Sequence, residues 1–151
     1  MGNLGGDITL WTLRGKMTQK MAAHSLRVTG LDAMPHSAGD DSVKFLSSSA
    51  DGIAKLWNAN GEALGEYDVV KAQSKHKKRA VSNSKRSRLG KCAFHPMRSY
   101  FAATSYDRSW ALWDVERTDL VLLRQEGHST PVHCCAFHPD GSLIATVSYS
   151  S

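Results

Sequence analysis

The sequence predicts an all-β fold made of repeated four-stranded units, and two repeated phrases support this prediction. Residues 49–58 read SADGIAKLWN and residues 105–114 read SYDRSWALWD, with Ser, Asp, Leu and Trp at the same four offsets. A longer phrase, CAFHPMRSYFAATSYD, returns near the end of the sequence as CAFHPDGSLIATVSYS. No long window has the uninterrupted three-to-four spacing of apolar residues that indicates an amphipathic helix. The chain is therefore expected to be a series of short strands.

The tryptophans give the period of the repeat. Trp11, Trp57 and Trp113 end equivalent phrases, at intervals of 46 and 56 residues. Repeats of about 40–50 residues are typical of folds in which each repeat forms one small sheet. The longer second interval indicates an insertion. The predicted organisation is the end of a first unit at 1–22, a complete unit at 23–69, a basic flexible insert at 70–88, a second complete unit at 89–126 and the truncated start of a further unit at 127–151.

Short apolar or β-branched runs alternate with turn residues inside each unit. RLGKCAF, SYFAATS, SWALW and LVLLR are separated by HPM, YDR and VERTD. Pro and Asp favour turns between runs of this kind, which are typical of hairpins. Each unit is therefore predicted to be a meander of four antiparallel strands.

The recurring Trp needs a hydrogen-bond partner for its indole N–H if it is buried. A hydroxyl on the second strand, an Asp in the next hairpin and a His before the first strand can form a relay to it. The predicted members of this structural relay are His24, Ser49, Asp51, Trp57, Ser105, Asp107, Trp113 and His128. Lys85 stands where the second unit would need its His, and a polar group left unpaired in the interior costs about 1–3 kcal/mol.

These phrases resemble WD-repeat sequences. GHSTPVHCCAFHPDG, SADGIAKLWN and SYDRSWALWD match that pattern in register, and the resemblance covers nearly the whole chain outside the insert. It implies a WD-repeat β-propeller, in which each repeat is a four-stranded blade and closure takes about 4 to 8 blades. Because the sequence holds two nearly complete units, we expect a propeller fragment that is too short to close a ring and that belongs to a longer protein.

A narrower resemblance concerns function. The phrase TSYDRSWALWD, with its additional Trp110, and the following LLRQEGHS are similar to the WD-repeat family of the U4/U6 small nuclear ribonucleoprotein. This resemblance implies a non-catalytic scaffold of pre-mRNA splicing in the nucleus, whose partners are other U4/U6 proteins and a cyclophilin. The alternative is a WD-repeat adaptor or scaffold in another pathway, such as a ubiquitin-ligase substrate receptor or a signalling protein.

Positive charge is concentrated in the insert. Nine of the 19 Lys and Arg residues, and no acidic residue, lie between Lys71 and Lys91. This composition predicts a mobile loop that is either simply solvated or is a nuclear-import or RNA patch, whose contact with phosphates would be weak and non-specific. The residues of this candidate patch are Lys75, Lys77, Lys78, Arg79, Lys85, Arg86 and Arg88.

Other kinds of site have less support in the sequence. Cys92 and Cys135 occupy the same repeat position, where a small apolar side chain would pack between sheets. The zinc alternative would use His128, His133, Cys134, Cys135 and His138. Their spacing matches no zinc-ligand pattern, so no metal or other cofactor is predicted. The chain lacks a nucleophile elbow and a phosphate-binding loop, and it lacks an apolar run long enough for a membrane span. We therefore expect a protein that is neither an enzyme nor a membrane protein.

Overall fold

The computed structural model describes residues 5–35, 42–68 and 86–149, which form antiparallel β-strands and contain no helix. The strands are β1 (Asp7–Trp11), β2 (Met17–Ala22), β3 (Val28–Ala33), β4 (Lys44–Ser49), β5 (Ala54–Asn58), β6 (Ala63–Tyr67), β7 (Leu89–Phe94), β8 (Tyr100–Ser105), β9 (Ser109–Asp114), β10 (Val121–Glu126), β11 (Val132–Phe137) and β12 (Ile144–Ser148). The all-β prediction is confirmed. Within the described ranges, no helix is available that could cross a membrane.

The strands form four sheets, which we name blades A to D in chain order. Blade A contains β1 and β2, blade B contains β3 to β6, blade C contains β7 to β10, and blade D contains β11 and β12. Within each sheet, neighbours along the chain are also neighbours in space, as in a meander. The described residues therefore form a propeller fragment with two complete four-stranded blades, and they do not close a ring.

Blades B and C share one register in their central hairpins. Phe45 pairs with Trp57 in blade B, and Phe101 pairs with Trp113 in blade C. Side chains alternate between the two faces of a strand, so this register places each Trp and its Phe partner on the same face. The repeated phrase thus fixes both the hairpin and the face on which its Trp lies.

The apolar cores lie between neighbouring blades. Ile8 and Met21 of blade A pack with Phe45 and Trp57 of blade B. A second cluster joins blades B and C, and a third joins blades C and D. The β7 thiol of Cys92 and the β11 thiol of Cys135 are buried in the second and third clusters, as their repeat position predicts, and both are free thiols.

Candidate structural relay and interaction surface

A continuous relay of hydrogen bonds reaches the indole of Trp57. Its Nε1–H donates to Ser47 Oγ at 2.8 Å, and Ser47 Oγ lies 2.7 Å from His24 Nε2. On the other side of the imidazole, His24 Nδ1 lies 3.0 Å from Asp51 Oδ2. The structure therefore joins three of the predicted members, His24, Asp51 and Trp57, through a hydroxyl that the sequence analysis did not select.

The assignment of Ser49 to this relay is corrected, because Ser47 supplies the hydroxyl. Both residues lie on the same face of β4, but Ser47 pairs with Lys55 and is the one diagonal to Trp57. Ser49 lies at the strand end, where its hydroxyl bonds two backbone carbonyls of the preceding loop and accepts the N–H of Asp51. The pairing register of the hairpin could have identified Ser47. Phe45 lies opposite Trp57, and Ser47 is the next residue of β4 on the same face.

The charge state of His24 gives the relay a direction. Burial lowers the pKa of His24 below its ordinary value of 6.5, and the nearby carboxylate of Asp51 opposes part of this effect. In the neutral ring, Nδ1–H donates to Asp51 while Nε2 accepts the hydroxyl proton of Ser47. The oxygen of Ser47 is then free to accept the indole N–H of Trp57. Each donor of this relay has one acceptor, so the buried polar groups of the relay are satisfied.

No such relay reaches Trp113 in blade C, and this prediction is also corrected. Ala103 occupies the strand position of Ser47, so a hydroxyl is lacking at the required place. In the described part of the chain, no residue hydrogen-bonds to the Trp113 indole. Ser105 accepts the backbone N–H of Asp107 at 3.4 Å, which repeats the hairpin role of Ser49. Asp107 also forms an ion pair with Arg124 at 2.9 Å.

Aromatic packing replaces the relay around Trp113. Its ring stacks on Phe101 with centroids 6.3 Å apart, and Tyr67 of blade B meets it edge-on at 5.7 Å. Tyr67 and Phe101 are themselves in edge contact at 4.7 Å. The Tyr67 hydroxyl donates to the carbonyl of Val115, and burial raises the pKa of Tyr67 to about 12. Tyr67 therefore links the two blades as a neutral side chain.

Blade D contains the first half of a relay. His128 Nε2 lies 2.9 Å from Thr146 Oγ1, and Nδ1 lies 2.9 Å from Ser148 Oγ. Thr146 occupies the strand position of Ser47, and His128 occupies that of His24. The predicted role of His128 thus has a hydroxyl partner at the equivalent position.

Two basic residues of the insert, Arg86 and Arg88, are among the described residues, and both lie at one end of the blades. We call this the insert end, and define it by the loops 23–27, 50–53, 86–88, 106–108 and 127–131. Arg86 forms an ion pair at 2.8 Å with the buried carboxylate of Asp68. The other members of the candidate patch, Lys75, Lys77, Lys78, Arg79 and Lys85, lie outside the described residues.

A row of rings continues from Arg88 across the insert end. The Arg88 guanidinium lies 4.5 Å from the ring centre of Tyr106, which contacts His133 at 4.7 Å. His133 in turn contacts Tyr149 at 4.6 Å. We name Arg88, Tyr106, His133 and Tyr149 the ring row. The ring row was not predicted from the sequence, although Tyr106 and Tyr149 hold the same repeat position and could have indicated it.

The residues of the zinc alternative are not placed together. His128 contacts the hydroxyls of blade D, His133 belongs to the ring row, and His138 pairs with Asp140 at 2.8 Å in an exposed turn. Burial raises the pKa of Cys135 to about 12, so its thiol is protonated. Across the described ranges, no group of three or more His, Cys, Asp or Glu residues is arranged to hold a metal ion.

Comparison with known proteins defines the class to which these blades belong. Residues 15–58, 77–114 and 120–151 each match the model of the WD domain, G-beta repeat. The chain therefore belongs to the WD-repeat family. WD repeats generally mediate protein–protein interactions.

Individual relatives come from several cellular processes. The chain is 24% identical to autophagy-related protein 16 of Arabidopsis thaliana and 27% identical to eukaryotic translation initiation factor 3 subunit I of Bombyx mori, over 96% of its length in each case. It is 29% identical, over 83% of its length, to U4/U6 small nuclear ribonucleoprotein PRP4 of Saccharomyces cerevisiae. The chain spans only 26%, 42% and 24% of these three relatives, respectively.

Proposed function

We propose that this chain acts as a non-catalytic scaffold of the U4/U6 small nuclear ribonucleoprotein in the nucleus. The observation that carries the proposal is the 29% identity to the yeast U4/U6 protein, which extends over 83% of the chain. The phrase around Trp110 and Trp113 points to the same family. In this function the blades hold other U4/U6 proteins, and a cyclophilin is a further proposed partner.

A second, weaker contact with RNA would use the insert end. The insert supplies seven candidate cations, and one of them, Arg88, begins the ring row through its contact with Tyr106. Lys and Arg bind phosphates with release of counterions, and aromatic rings stack on bases without strong sequence preference. Such a contact would strengthen attachment to the particle without selecting an RNA sequence.

The residues that could suggest catalysis already have structural partners. Ser47, His24 and Asp51 form a Ser-His-Asp set, but the hydroxyl of Ser47 already accepts the Trp57 indole N–H, and Ser47 and His24 are buried. A nucleophile needs an exposed hydroxyl beside the site that a substrate would occupy. We therefore propose no enzymatic activity and no cofactor.

The proposal can be tested by affinity purification of the tagged protein from nuclear extract. We expect U4 and U6 RNA, together with proteins of that particle, to be enriched over a tag-only control. Enrichment of a different complex without either RNA would contradict the proposal and would favour the adaptor of another pathway. The adaptor alternative is supported by the identities to the autophagy and translation relatives, 24% and 27%, which are similar to the 29% identity to the yeast U4/U6 protein.

The contribution of the insert needs a charge-matched control. Replacing the seven patch residues with Ser or Gln should flatten the salt dependence of RNA association or reduce nuclear accumulation. The control replaces seven exposed or half-exposed basic residues outside both the insert and the insert end: Arg14, Lys16, Lys20, Lys44, Lys91, Arg98 and Arg117. Equal effects of the two sets would contradict a specific role of the insert, because both remove the same charge.

A further inference from the structure

Two arginines without a carboxylate partner lie beside Tyr106 at the insert end of blade C. Arg88 lies over the ring of Tyr106, and Arg108 follows two residues later in the same hairpin turn, where it is exposed. Across the described ranges, neither arginine forms an ion pair with an Asp or a Glu. The carboxylate of the adjacent Asp107 is paired with Arg124 at 2.9 Å. Both positive charges are therefore available to a ligand.

Neither arginine is arranged in a way that favours stability. The Nε–H of Arg88 is buried and has no hydrogen-bond partner among the described residues, although buried donors are nearly always paired. Arg108 has φ +71° and is, in the part of the chain that the structure describes, the one residue other than glycine with a positive φ. Strained backbone and unpaired polar groups are characteristic of functional sites. Two such features beside one ring indicate a ligand site rather than a stabilising cluster.

Blade B lacks this arrangement at the same repeat positions. Arg27 is equivalent to Arg88, because the carbonyl of each accepts a backbone N–H from the hairpin that follows. In blade B that donor is Ala50, which stands where blade C has Tyr106. A glycine stands where blade C has Arg108. The ring and the second arginine are therefore particular to blade C and are not requirements of the repeat.

The geometry of these side chains fits a nucleotide. Tyr106 supports one plane of the Arg88 guanidinium, 4.5 Å from its ring centre, and His133 contacts Tyr106 edge-on at 4.7 Å. Arg88 and His133 are half-buried, so part of each remains accessible. Unpaired bases stack on guanidinium planes and on aromatic rings. The guanidinium of Arg108 has the N–H groups that bind a phosphate. The site thus offers a surface for a base and a cation for a phosphate.

We propose that blade C binds single-stranded RNA at the insert end, with a base on the outer plane of Arg88 and a phosphate on Arg108. This inference rests on the RNA contact proposed above and names the residues that make it. The bases of a duplex are stacked within the helix and do not reach a guanidinium plane. An acidic protein segment would use the two charges but not the supported plane. Binding should depend little on RNA sequence, because every base has a face that stacks.

The first test measures binding of a labelled single-stranded RNA of about 12 nucleotides to the purified protein by fluorescence anisotropy. Arg108→Gly should weaken binding about 5-fold at about 0.1 M salt and reduce the salt slope by about 0.7, because one phosphate contact is lost. This variant relieves the left-handed backbone strain, so weaker binding would not come from lower stability. The matched control, Arg117→Gly, removes an exposed arginine from the loop between β9 and β10 and should change neither quantity. Equal effects of the two substitutions, or no effect of Arg108→Gly, would overturn the proposal.

The second test separates stacking from charge. Arg88→Lys keeps the positive charge but replaces the planar guanidinium with an ammonium, which offers no plane to a base. We expect a loss of affinity of about 5-fold or more with an unchanged salt slope, because a stacked base is lost and a phosphate contact is not. The control is Arg108→Lys, which should bind RNA as the wild type does. Wild-type affinity of Arg88→Lys, or an equal loss in both lysine variants, would contradict the proposed arrangement.

Two further ligands distinguish RNA strands from other anions. Arg88→Lys should leave the binding of duplex RNA unchanged, because a duplex does not present the face of a base. Oligoglutamate of the same charge should displace the single strand only weakly; displacement as effective as that by unlabelled RNA would show a general anion surface and overturn the proposal. Failure to recover U4 and U6 RNA from nuclear extract, with the Arg88 dependence of binding retained, would contradict the proposed function alone. Binding that is independent of both arginines would contradict this site alone.

Discussion

Blades B and C place a tryptophan at the same point of the same hairpin, yet they stabilise it by different interactions. Trp57 donates to Ser47, which is connected through His24 to Asp51. Trp113 has Phe101 and Tyr67 around it and lacks the hydroxyl. The comparison shows that the backbone register and the Trp are the constant part of the repeat. The side chains around the Trp differ together between the blades: blade B has a hydrogen-bond relay to the indole N–H, and blade C has aromatic rings.

Blade C differs from blade B at several positions that together compensate for the missing relay. In blade C the small Ala103 replaces Ser47, and the space between the blades is filled by rings, with Tyr67 supplied by the neighbouring blade. A hydroxyl buried there without a His would cost about 1–3 kcal/mol. The ion pair of Asp107 with Arg124 gives that hairpin carboxylate a partner in place of a histidine. Loss of the relay in blade C is therefore accompanied by changes at several positions.

The largest difference between the blades should appear when the phenylalanine paired with each Trp is removed. Phe101 is fully buried and contacts Tyr67, Phe94 and Trp113, so Phe101→Ala should cost about 3–5 kcal/mol of unfolding free energy. Phe45→Ala is the matched variant in blade B and should cost less. Urea unfolding of both variants tests this order; a larger loss for Phe45→Ala would contradict the dominance of aromatic packing in blade C.

Removal of the relay hydroxyl should have the next largest effect. Ser47→Ala leaves the indole N–H of Trp57 without its acceptor and removes the donor to His24, at a cost of about 1–3 kcal/mol. The control is Ser142→Ala, which removes a hydroxyl that donates to Asp140 in an exposed turn and should change stability by less than about 0.5 kcal/mol. Equal unfolding free energies for the two variants would show that the relay contributes nothing.

Acid should affect blade B through His24. Because its pKa is lowered in the folded state, the unfolded chain takes up a proton first, near pH 6.5. The contribution of neutral His24 is therefore complete above pH 6.5 and is lost as the pH falls below that value, until the folded form is protonated as well. Unfolding free energies of the wild type and of His24→Gln across this range test the prediction. An identical slope in both proteins would contradict it.

A smaller contrast lies in the hairpin turns that precede the two tryptophan strands. Gly52 has φ +84° in blade B, whereas the equivalent Arg108 has φ +71° in blade C. Left-handed backbone is costly for any residue with a Cβ, so Arg108→Gly should raise stability by about 0.5–1 kcal/mol. Gly52→Ala should lower it, since the added Cβ would lie 2.8 Å from the carbonyl of Ser87. Thermal unfolding of the two variants should shift in opposite directions; shifts of the same sign would contradict this.

The sequence was sufficient for the parts of the fold that repeat. The repeated phrases and the short apolar runs between turn residues predicted the hairpins and the four-stranded sheets, and the shared CAFHP position predicted the buried cysteines. These features depend on local turns and on strand alternation. The repeat pattern also indicated His24 and Asp51, and the structure places both in the relay that reaches Trp57. Both lie in loops at the same end of blade B.

The sequence was insufficient where contacts cross between strands or between blades. Three serines follow one another in β4, and only the pairing register shows that Ser47, rather than Ser49, is diagonal to Trp57. The aromatic cluster of Trp113 includes Tyr67, which lies 46 residues earlier and belongs to another blade. The ring row likewise joins four separate segments of the chain. No repeat phrase contains such contacts.

The most direct test of the difference between the two tryptophans is a pair of double-mutant cycles. Urea unfolding would be measured for Trp57→Phe and Trp113→Phe, each with and without Ser47→Ala. We expect a coupling energy of about 0.5–1.5 kcal/mol between Trp57 and Ser47, because they share a hydrogen bond. Trp113 and Ser47 share no partner, so their effects should add to within about 0.3–0.5 kcal/mol. Additivity in the Trp57 cycle, or equal coupling in both, would contradict the distinction between a hydrogen-bonded and an aromatic tryptophan site.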